Sequence, residues 1–269
     1  TGKAATVKAT RLNPPSTHNI LKNVYDVNGM RSSVTILAYT FPEKGDEGAA
    51  FAKIVASLEK TWENVGRLRT VIVASHHFTA VDRFVDEHSE VELQIEPSLV
   101  YGDIHTMSVD CNSKLYTRFS TPYVLIVQDD GYPIRKGLEE FVGKYDFIGA
   151  PYVRDVWWKN LICHVFNCWV QNGGFSLRSR RICEAAAKYW NEKYGVRGRF
   201  ADASEDLFYT KFLPIHERIY RKSFRLATNR ESLRFSFDAS MPIDPPKVLP
   251  FGVHGASTAR QLLRENQDE

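Results

Sequence analysis

Three features that mark other classes of protein are scarce in this sequence: cysteine, long apolar runs and charge of one sign. Four cysteines occur in 269 residues, without a Cys-x-x-Cys pair or a histidine at zinc-finger spacing, so neither a disulfide framework nor a zinc site is predicted. No apolar run approaches the roughly 20 residues that cross a bilayer. The 35 basic and 32 acidic side chains leave a net charge of only +3, which argues against a nucleic-acid surface. We therefore expect a soluble, cytoplasmic protein with reduced cysteines, no nucleic-acid partner and no transmembrane segment in this chain.

The composition that is present is that of a globular protein. Hydrophobic residues make up 43% of the chain and aromatic residues 12%, which is ample for one large core. Residues 1–33 are polar and show no sustained period, so we predict an N-terminal arm or linker there, one domain over 34–258 and a C-terminal tail over 259–269. Because the sequence does not begin with Met, one domain of a larger protein is an open alternative.

The first half of the domain alternates between apolar runs and helical periodicity. The helical pattern is clearest over 47–65, where apolar residues recur at steps of three and four. We predict strands over 34–39, 70–75, 91–95 and 122–127, and helices over 47–65, 81–87 and 104–119. This order of strands and helices is typical of a parallel α/β sheet.

The regular alternation ends in the second half of the domain. Residues 152–171 form a long aromatic insertion that includes Trp157 and Trp158, and such loops either serve function or form a satellite core. Around it we predict a short helix near 138–142, a strand over 145–150, a turn into a short strand over 171–178, helices over 182–190 and from Ser204, and strand or loop segments over 225–227, 234–237 and 250–255.

The most informative stretch is 122–131, where an unbroken apolar run ends in Gln-Asp-Asp-Gly. Such a run suits a central strand that is covered on both faces. Ligands in these sheets bind beyond the carboxyl ends of the strands, so Asp129 and Asp130 would lie in the crevice. A plain Asp-Gly turn explains the same residues equally well.

Three later groups extend the candidate chemistry: an Asn-Gly-Gly segment, a Glu-Asp pair that opens a helix, and a histidine near the end of the domain. Mg²⁺ or Mn²⁺ bound to a diphosphate takes one or two carboxylates from a protein. A carboxylate at a helix start, away from the metal, is a candidate general base. Each group also has a structural explanation, because acids favour helix starts, glycines favour turns and single histidines are often packed.

Together these groups resemble glycosyltransferases of the GT-A fold. The resemblance is closest to a family of largely uncharacterised predicted glycosyltransferases that share the Asn-Gly-Gly-Phe-Ser-Leu-Arg-Ser block, here residues 172–179, and the Tyr-Asp-Phe-Ile-Gly-Ala-Pro strand, here 145–151. It covers roughly residues 34–258. It implies an α/β fold of GT-A type, with a single Rossmann-like, mostly parallel sheet flanked by helices, and a catalytic domain over 34–258.

The resemblance also implies a donor side of the site. Residues 128–130 are the counterpart of an Asp-x-Asp motif in which Gln128 has replaced the first acid. Asp130 and His254 would be the metal ligands. Gln128 and Asp129 would belong to the cofactor-binding residues, with Gln128 in contact with ribose or water and Asp129 as the spacer of the motif. The donor sugar would lie against the backbone of three residues: Asn172, Gly173 and Gly174. The implied cofactors are Mn²⁺ or Mg²⁺ and a nucleotide-diphosphate sugar, with a UDP-sugar favoured.

On the acceptor side, the resemblance implies that Asp206 is the general base of an inverting enzyme and that Glu205 holds the acceptor or orients the loop. The partners would be a nucleotide-sugar donor and a glycan or glycoconjugate acceptor, as in polysaccharide biosynthesis. Adjacent Glu205 and Asp206 cannot flank one bond from opposite sides, which argues against a glycosidase. Two alternatives stay open: a non-catalytic nucleotide- or sugar-binding module, since Gln128 displaces an acid, and a nucleotidyltransferase.

Overall fold

The computed structural model describes residues 27–152, 169–194, 204–219, 224–238, 240, 246–255 and 262. The helices are α1 (Val27–Ser33), α2 (Glu47–Val65), α3 (Thr79–Glu87), α4 (Ile104–Lys114), α5 (Arg180–Tyr189), α6 (Glu205–Leu207), α7 (Leu213–Ile219) and α8 (Asn229–Phe235). The strands are β1 (Val34–Thr40), β2 (Thr70–Ala74), β3 (Val91–Ile95), β4 (Tyr123–Val127), β5 (Gly131–Pro133), β6 (Phe147–Pro151), β7 (Gln171–Ser179), β8 (Ser236–Asp238) and β9 (Gly252–His254).

A six-stranded sheet in the order β3-β2-β1-β4-β7-β6 organises these elements. Strands β1 to β4 pair in parallel, and β7 runs antiparallel to both of its neighbours. The predicted fold class, α/β with a mostly parallel sheet flanked by helices, is therefore confirmed. A second, three-stranded sheet in the order β5-β9-β8 was not predicted, because strands of three residues are too short to show a period.

Helices cover both faces of the large sheet because successive strand residues point to opposite sides. Ile36 and Leu125 pack with Leu58 of α2 on one face. Leu37 and Ile126 pack against α4 and α5 on the other face. Both faces of β4 are thus buried, as its unbroken apolar run predicts. No helix among the described residues is long and apolar enough to cross a membrane.

The predicted first, second, third and fourth strands and the helices over 47–65 and 81–87 are present at nearly the predicted bounds. The long predicted helix over 104–119 instead ends at Lys114 and continues as a 3-10 turn over Leu115–Thr117. The last part of the predicted arm forms α1, while residues 1–26 lie outside the described residues, as does most of the tail and the insertion around Trp157 and Trp158.

Two predictions in the second half need correction. Residues 171–178 were predicted as a turn into a short strand, but β7 is a nine-residue strand in which every residue is buried. The prediction of strand or loop over 234–237 was wrong for its first half, because α8 extends to Phe235. A capping box explains this helix, since the Thr228 hydroxyl accepts from the Glu231 N–H and the Glu231 carboxylate accepts from the Thr228 N–H.

Candidate active site

A cleft of about 350 Å³ opens beyond the carboxyl end of β4. The chain order reverses beside this strand, since β2 and β3 extend the sheet from β1 in one direction and β4 lies on the other side. Such a switch point is where open α/β sheets bind ligands. The cleft is lined by residues 104, 105, 107, 108, 128, 152, 172, 174, 204, 205, 206 and 254.

The Gln-Asp-Asp-Gly motif forms a tight turn between β4 and β5. The N–H of Gln128 donates to the Gly131 carbonyl at 3.0 Å, and the N–H of Gly131 donates back at 3.2 Å. The turn leaves Asp129 exposed and Asp130 half-buried. Burial raises the pKa of Asp130, with the nearby Asp129 charge adding to the effect and His254 opposing it. The two acids therefore differ in burial, while their different roles stay a prediction.

His254 meets this turn because β9 pairs with β5, with His254 opposite Gly131. Its Nε2 lies 3.2 Å from Oε1 of Gln128 and 3.8 Å from Oδ1 of Asp130. Its Nδ1 lies 3.0 Å from Oδ2 of Asp238, which is only 2% exposed. Although burial lowers the pKa of His254, the Asp238 hydrogen bond and the Asp130 charge outweigh it, so the net direction is upward.

The start of β7 lies between the side chains around His254 and those of Glu205 and Asp206. The Asn172 amide nitrogen lies 3.1 Å from Nδ1 of His254, and its oxygen accepts from the Gly174 N–H at 2.7 Å. A Cβ on Gly174 would collide with Oε1 of Gln128 and Nε2 of His254. The Gly-Gly pair is thus required by close approach inside a strand rather than by a turn.

Asp206 and Glu205 lie on the other side of these glycines, at the start of α6. Asp206 accepts a hydrogen bond from the Gly173 N–H and another, of 2.7 Å, from the Tyr152 hydroxyl. Glu205 is 6% exposed and accepts from the Ser108 hydroxyl at 2.6 Å. Burial, followed by the Glu205 charge, raises the pKa of Asp206 to about 7. A carboxylate with this pKa exchanges protons near neutral pH, as a general base requires.

Six of the residues proposed from the sequence line this cleft: Gln128, Asn172, Gly174, Glu205, Asp206 and His254. Asp130 and Gly173 adjoin it through His254 and Asp206, and Asp129 is exposed. Four further residues hold these side chains and the glycine backbone in place: Ser108, Tyr152, Arg178 and Asp238. Arg178 belongs to the Asn-Gly-Gly-Phe-Ser-Leu-Arg-Ser block and could have been singled out there. Ser108, Tyr152 and Asp238 have no motif of their own, and only the fold brings them to the site.

The residues present fit a divalent cation that shares its ligands with a diphosphate. Within the described ranges, no three His, Cys, Asp or Glu side chains gather in a way that would hold a metal. Asp130 and His254 offer two ligand atoms 3.8 Å apart, with the Gln128 oxygen beside them. Mg²⁺ typically takes only one or two carboxylates from a protein and completes its shell with phosphate and water oxygens.

Fold and site together define an α/β protein in which a histidine-carboxylate cluster faces a carboxylate pair across one cleft at the carboxyl end of β4. The chain belongs to the family described as "Protein of unknown function (DUF5672)", whose profile matches residues 97–254. The matched stretch contains every site residue predicted from the sequence. That this family is the predicted glycosyltransferase family stays a prediction.

No curated protein matches the chain. Among solved structures, the mannosyltransferase PcManGT from Pyrobaculum calidifontis, in complex with GDP-Man and Mn²⁺, aligns at 15% identity with a TM-score of 0.45, over 80% of this chain and 57% of that chain. The mannosyltransferase Ktr4p from S. cerevisiae aligns at 11% identity with a TM-score of 0.46, over 74% of this chain and 76% of that one.

Core-mannan synthase A (CmsA/Ktr4) from Aspergillus fumigatus, in its Mn/GDP form, aligns at 10% identity with a TM-score of 0.43, over 74% of this chain and 73% of that one. The chain thus spans little more than half the length of the Pyrobaculum protein. The domain boundaries at 34 and 258 stay predictions.

Proposed function

We propose that this chain is a glycosyltransferase that moves a sugar from a nucleotide-diphosphate sugar to a hydroxyl of a glycan or glycoconjugate, with inversion at the anomeric carbon. The observation that carries the proposal is the pairing of two chemically different groups across Gly173 and Gly174. One side offers ligands for a metal diphosphate. The other offers Asp206, whose pKa of about 7 suits proton transfer at neutral pH.

Asp206 has the contacts that a base of this kind needs. The Gly173 N–H and the Tyr152 hydroxyl orient its carboxylate and stabilise its charged form. In the proposed step, the acceptor hydroxyl oxygen bonds to the anomeric carbon and its proton moves to Asp206. The bond from that carbon to the diphosphate breaks, and the leaving nucleoside diphosphate keeps the electron pair. Glu205, held by Ser108, is placed to orient the acceptor.

Asp130 and His254 would hold Mn²⁺ or Mg²⁺ on the donor side. The bound cation would supply positive charge that offsets the charge of the leaving diphosphate. Asp238 lies behind His254 and would fix the orientation of the imidazole ring, as carboxylates behind ligating histidines commonly do. Gln128 and Asn172, whose amides face the cleft, would contact the donor, and Gly173 and Gly174 would let its sugar approach the backbone.

The donor is best identified by a binding screen. Nucleoside diphosphates and nucleotide sugars, including UDP-sugars and GDP-mannose, would be titrated by calorimetry with Mn²⁺, with Mg²⁺ and with chelator. We expect metal-dependent binding, weakened by Asp130→Ala and to a smaller extent by His254→Ala, with Asp129→Asn as the matched control. The preference for UDP, a role in polysaccharide biosynthesis and a cytoplasmic location stay predictions. Absence of nucleotide binding under all conditions would refute the proposal.

The carboxylate pair separates the proposal from its main competitor, a non-catalytic binding module. The competitor is favoured by one observation: the Gln128 amide, rather than an acid, lies beside His254. Asp206→Asn keeps the size of the side chain and removes the base. We expect it to lower transfer by at least about 100-fold while nucleotide binding survives. A wild-type protein that binds nucleotide sugars but transfers none to any acceptor supports the module, and pyrophosphate release indicates a nucleotidyltransferase.

A further inference from the structure

A fully buried arginine lies on the core side of the carboxylate pair. Arg178, near the end of β7, has no exposed surface. Its side chain runs back along its own strand, where Nε donates to the Ser176 hydroxyl at 3.0 Å and Nη2 donates to the Gly173 carbonyl at 3.1 Å. The rings of Phe147 and Tyr209 lie 5.0 and 4.6 Å from the guanidinium carbon.

The direct hydrogen-bond partners of Arg178 carry no negative charge that would balance its own. Arg178 forms no ion pair within 4.0 Å with a carboxylate of the described residues, and its Nη1 has no hydrogen-bond partner among those same residues. An arginine keeps its proton even when buried, and a buried charge is costly unless an opposite charge is near. The neutral contacts with Ser176 and the Gly173 carbonyl are too weak to account for its position by themselves.

The compensating charges lie around Gly173. A Cβ on this glycine would be 2.5 Å from Nη2 of Arg178, 2.5 Å from Oδ1 of Asp206 and 3.2 Å from Oε1 of Glu205. Because Nη2 of Arg178 and Oδ1 of Asp206 both lie 2.5 Å from this one position, the two atoms are at most about 5 Å apart. Charges at such separations interact strongly when water is excluded.

We propose that Arg178 is a positioning residue for the Glu205–Asp206 pair: it anchors Gly173 from the core side and supplies the buried positive charge that keeps two adjacent carboxylates compatible. Gly173 is held from both sides, because Arg178 donates to its carbonyl while its N–H donates to Asp206. Removing the arginine charge makes Asp206 harder to ionise next to Glu205, so the base becomes less available at neutral pH. The catalytic meaning of this arrangement rests on the proposed function, but the electrostatic coupling does not.

Other charged and titratable groups also face Asp206. Glu205 on α6, Tyr152 after β6, and His254 on β9 all contribute, and Arg178 is the cation on the core side. A measurement of the Asp206 pKa must therefore change one of these groups at a time. Arg178 is the suitable one because its two kinds of contribution, charge and hydrogen bonding, are separable by substitution.

The experiment is a ¹³C NMR titration of side-chain carboxyls, which needs neither donor nor acceptor. Asp206 is assigned by its loss in Asp206→Asn, and its pKa is measured in wild type, Arg178→Lys, Arg178→Gln and Arg178→Met. Lys keeps the charge, Gln keeps a donor without the charge, and Met keeps only the volume. Arg118→Gln is the matched control, because Arg118 is a buried arginine that pairs with Asp110 and Glu96 elsewhere in the fold.

We expect Arg178→Gln and Arg178→Met to raise the Asp206 pKa by about one unit or more, and Arg178→Lys and Arg118→Gln to leave it nearly unchanged. An unchanged pKa in a folded neutral variant would overturn the proposal, as would equal shifts in Lys and Gln, which would show that the charge is not what matters. If the neutral variants do not fold, Glu205→Gln is combined with Arg178→Gln. Recovery of folding in that double variant supports charge compensation, and failure to recover contradicts it.

These outcomes separate the inference from the proposed function. A normal pKa coupling in a protein that transfers no sugar leaves the inference standing and removes the function. Sugar transfer by a protein in which the Arg178 charge does not affect the Asp206 pKa would leave the function standing and remove the inference.

Discussion

The two sides of the cleft are built in different ways. On the side of His254, strand pairing sets the geometry, because the backbone register of β5, β9 and β8 places Gly131, His254 and Asp238 in one row. On the side of Asp206, single side chains from separate elements do so: Ser108 from α4, Tyr152 beyond β6 and Arg178 from β7. Strand register tolerates loss of one side chain, whereas a cluster of side chains depends on each member. The two sides should therefore respond differently to mutation.

The largest effects are expected at the two glycines that divide the sides. A Cβ on Gly174 would strike Gln128 and His254, and a Cβ on Gly173 would strike Arg178 and Asp206. Overpacking of this kind costs about 1–3 kcal/mol. We expect Gly174→Ala to weaken metal-dependent nucleotide binding on the order of 100-fold, and Gly173→Ala to lower the transfer rate by a similar factor with binding retained. Calorimetry and steady-state kinetics on both variants give the comparison.

Gly48→Ala is the control for these substitutions, because a Cβ there, in α2, meets no atom within 4 Å. It should leave binding and rate unchanged. If Gly173→Ala and Gly174→Ala impair binding and rate to the same degree, the cleft is one mechanical unit and the division into two sides is wrong.

A smaller effect is expected when Asp238 is changed. Asp238→Asn weakens the hydrogen bond that orients His254 and removes a charge next to it. Loss of such a partner lowers metal affinity by about 10- to 100-fold. Mn²⁺ affinity, measured by calorimetry with and without nucleoside diphosphate, should fall within this range, and Asp129→Asn should change it little. An Asp238 variant with normal Mn²⁺ affinity would place the metal away from His254.

Tyr152→Phe tests one contact on the side of the carboxylate pair. It removes the 2.7 Å hydrogen bond to Asp206, which helps to hold the charged form of that carboxylate. A hydrogen bond to a charged group contributes roughly 1.5–3 kcal/mol, so the transfer rate should fall by about 10- to 100-fold. The pH at which the rate rises should move upward, while nucleotide affinity should stay the same. A lowered affinity with an unchanged pH profile would contradict this role.

The pH dependence of stability tests the Asp206 carboxylate without donor or acceptor. The pKa of Asp206 is raised from 3.8 to about 7 in the folded protein. A raised carboxyl pKa stabilises the folded state below the unfolded pKa, and this contribution is lost as the pH rises through the folded pKa. Denaturation by urea should show wild type losing stability relative to Asp206→Asn between about pH 4 and pH 7. If the difference in stability between wild type and Asp206→Asn stays constant across that range, the pKa of Asp206 is not raised in the folded protein.

The sequence predicts the first part of the fold well because its signals are long. The apolar face of α2 spans 19 residues, and the buried run of β4 has no competing period. It predicts the small sheet badly because each strand there has three residues. The Gly-Gly pair at the start of β7 led to the prediction of a turn, because glycine is common in turns. Only tertiary contacts show that the glycines make room for other side chains.

The same limit applies to the site. Asp130, Asp206 and His254 could be proposed because they stand in motifs with a recognisable order. Asp238 could not, because its role depends on the pairing of β8 with β9, and strand pairing is not written in local sequence. The role of Tyr152 could not be predicted for a similar reason, since Tyr152 precedes Asp206 by 54 positions in the chain and only the fold brings them together.

The antiparallel position of β7 between β4 and β6 has a consequence for how this chain can vary. Asn172 and Arg178 both serve the cleft from one continuous strand whose every residue is buried, and the register of that strand against β6 shifts between them. An inserted or deleted residue between them would move one of the two along the sheet and away from its contact with His254 or Gly173. Length variation should therefore be confined to the connections on either side of β7. The strand itself should behave as a fixed spacer between the metal-binding end of the cleft and its proton acceptor.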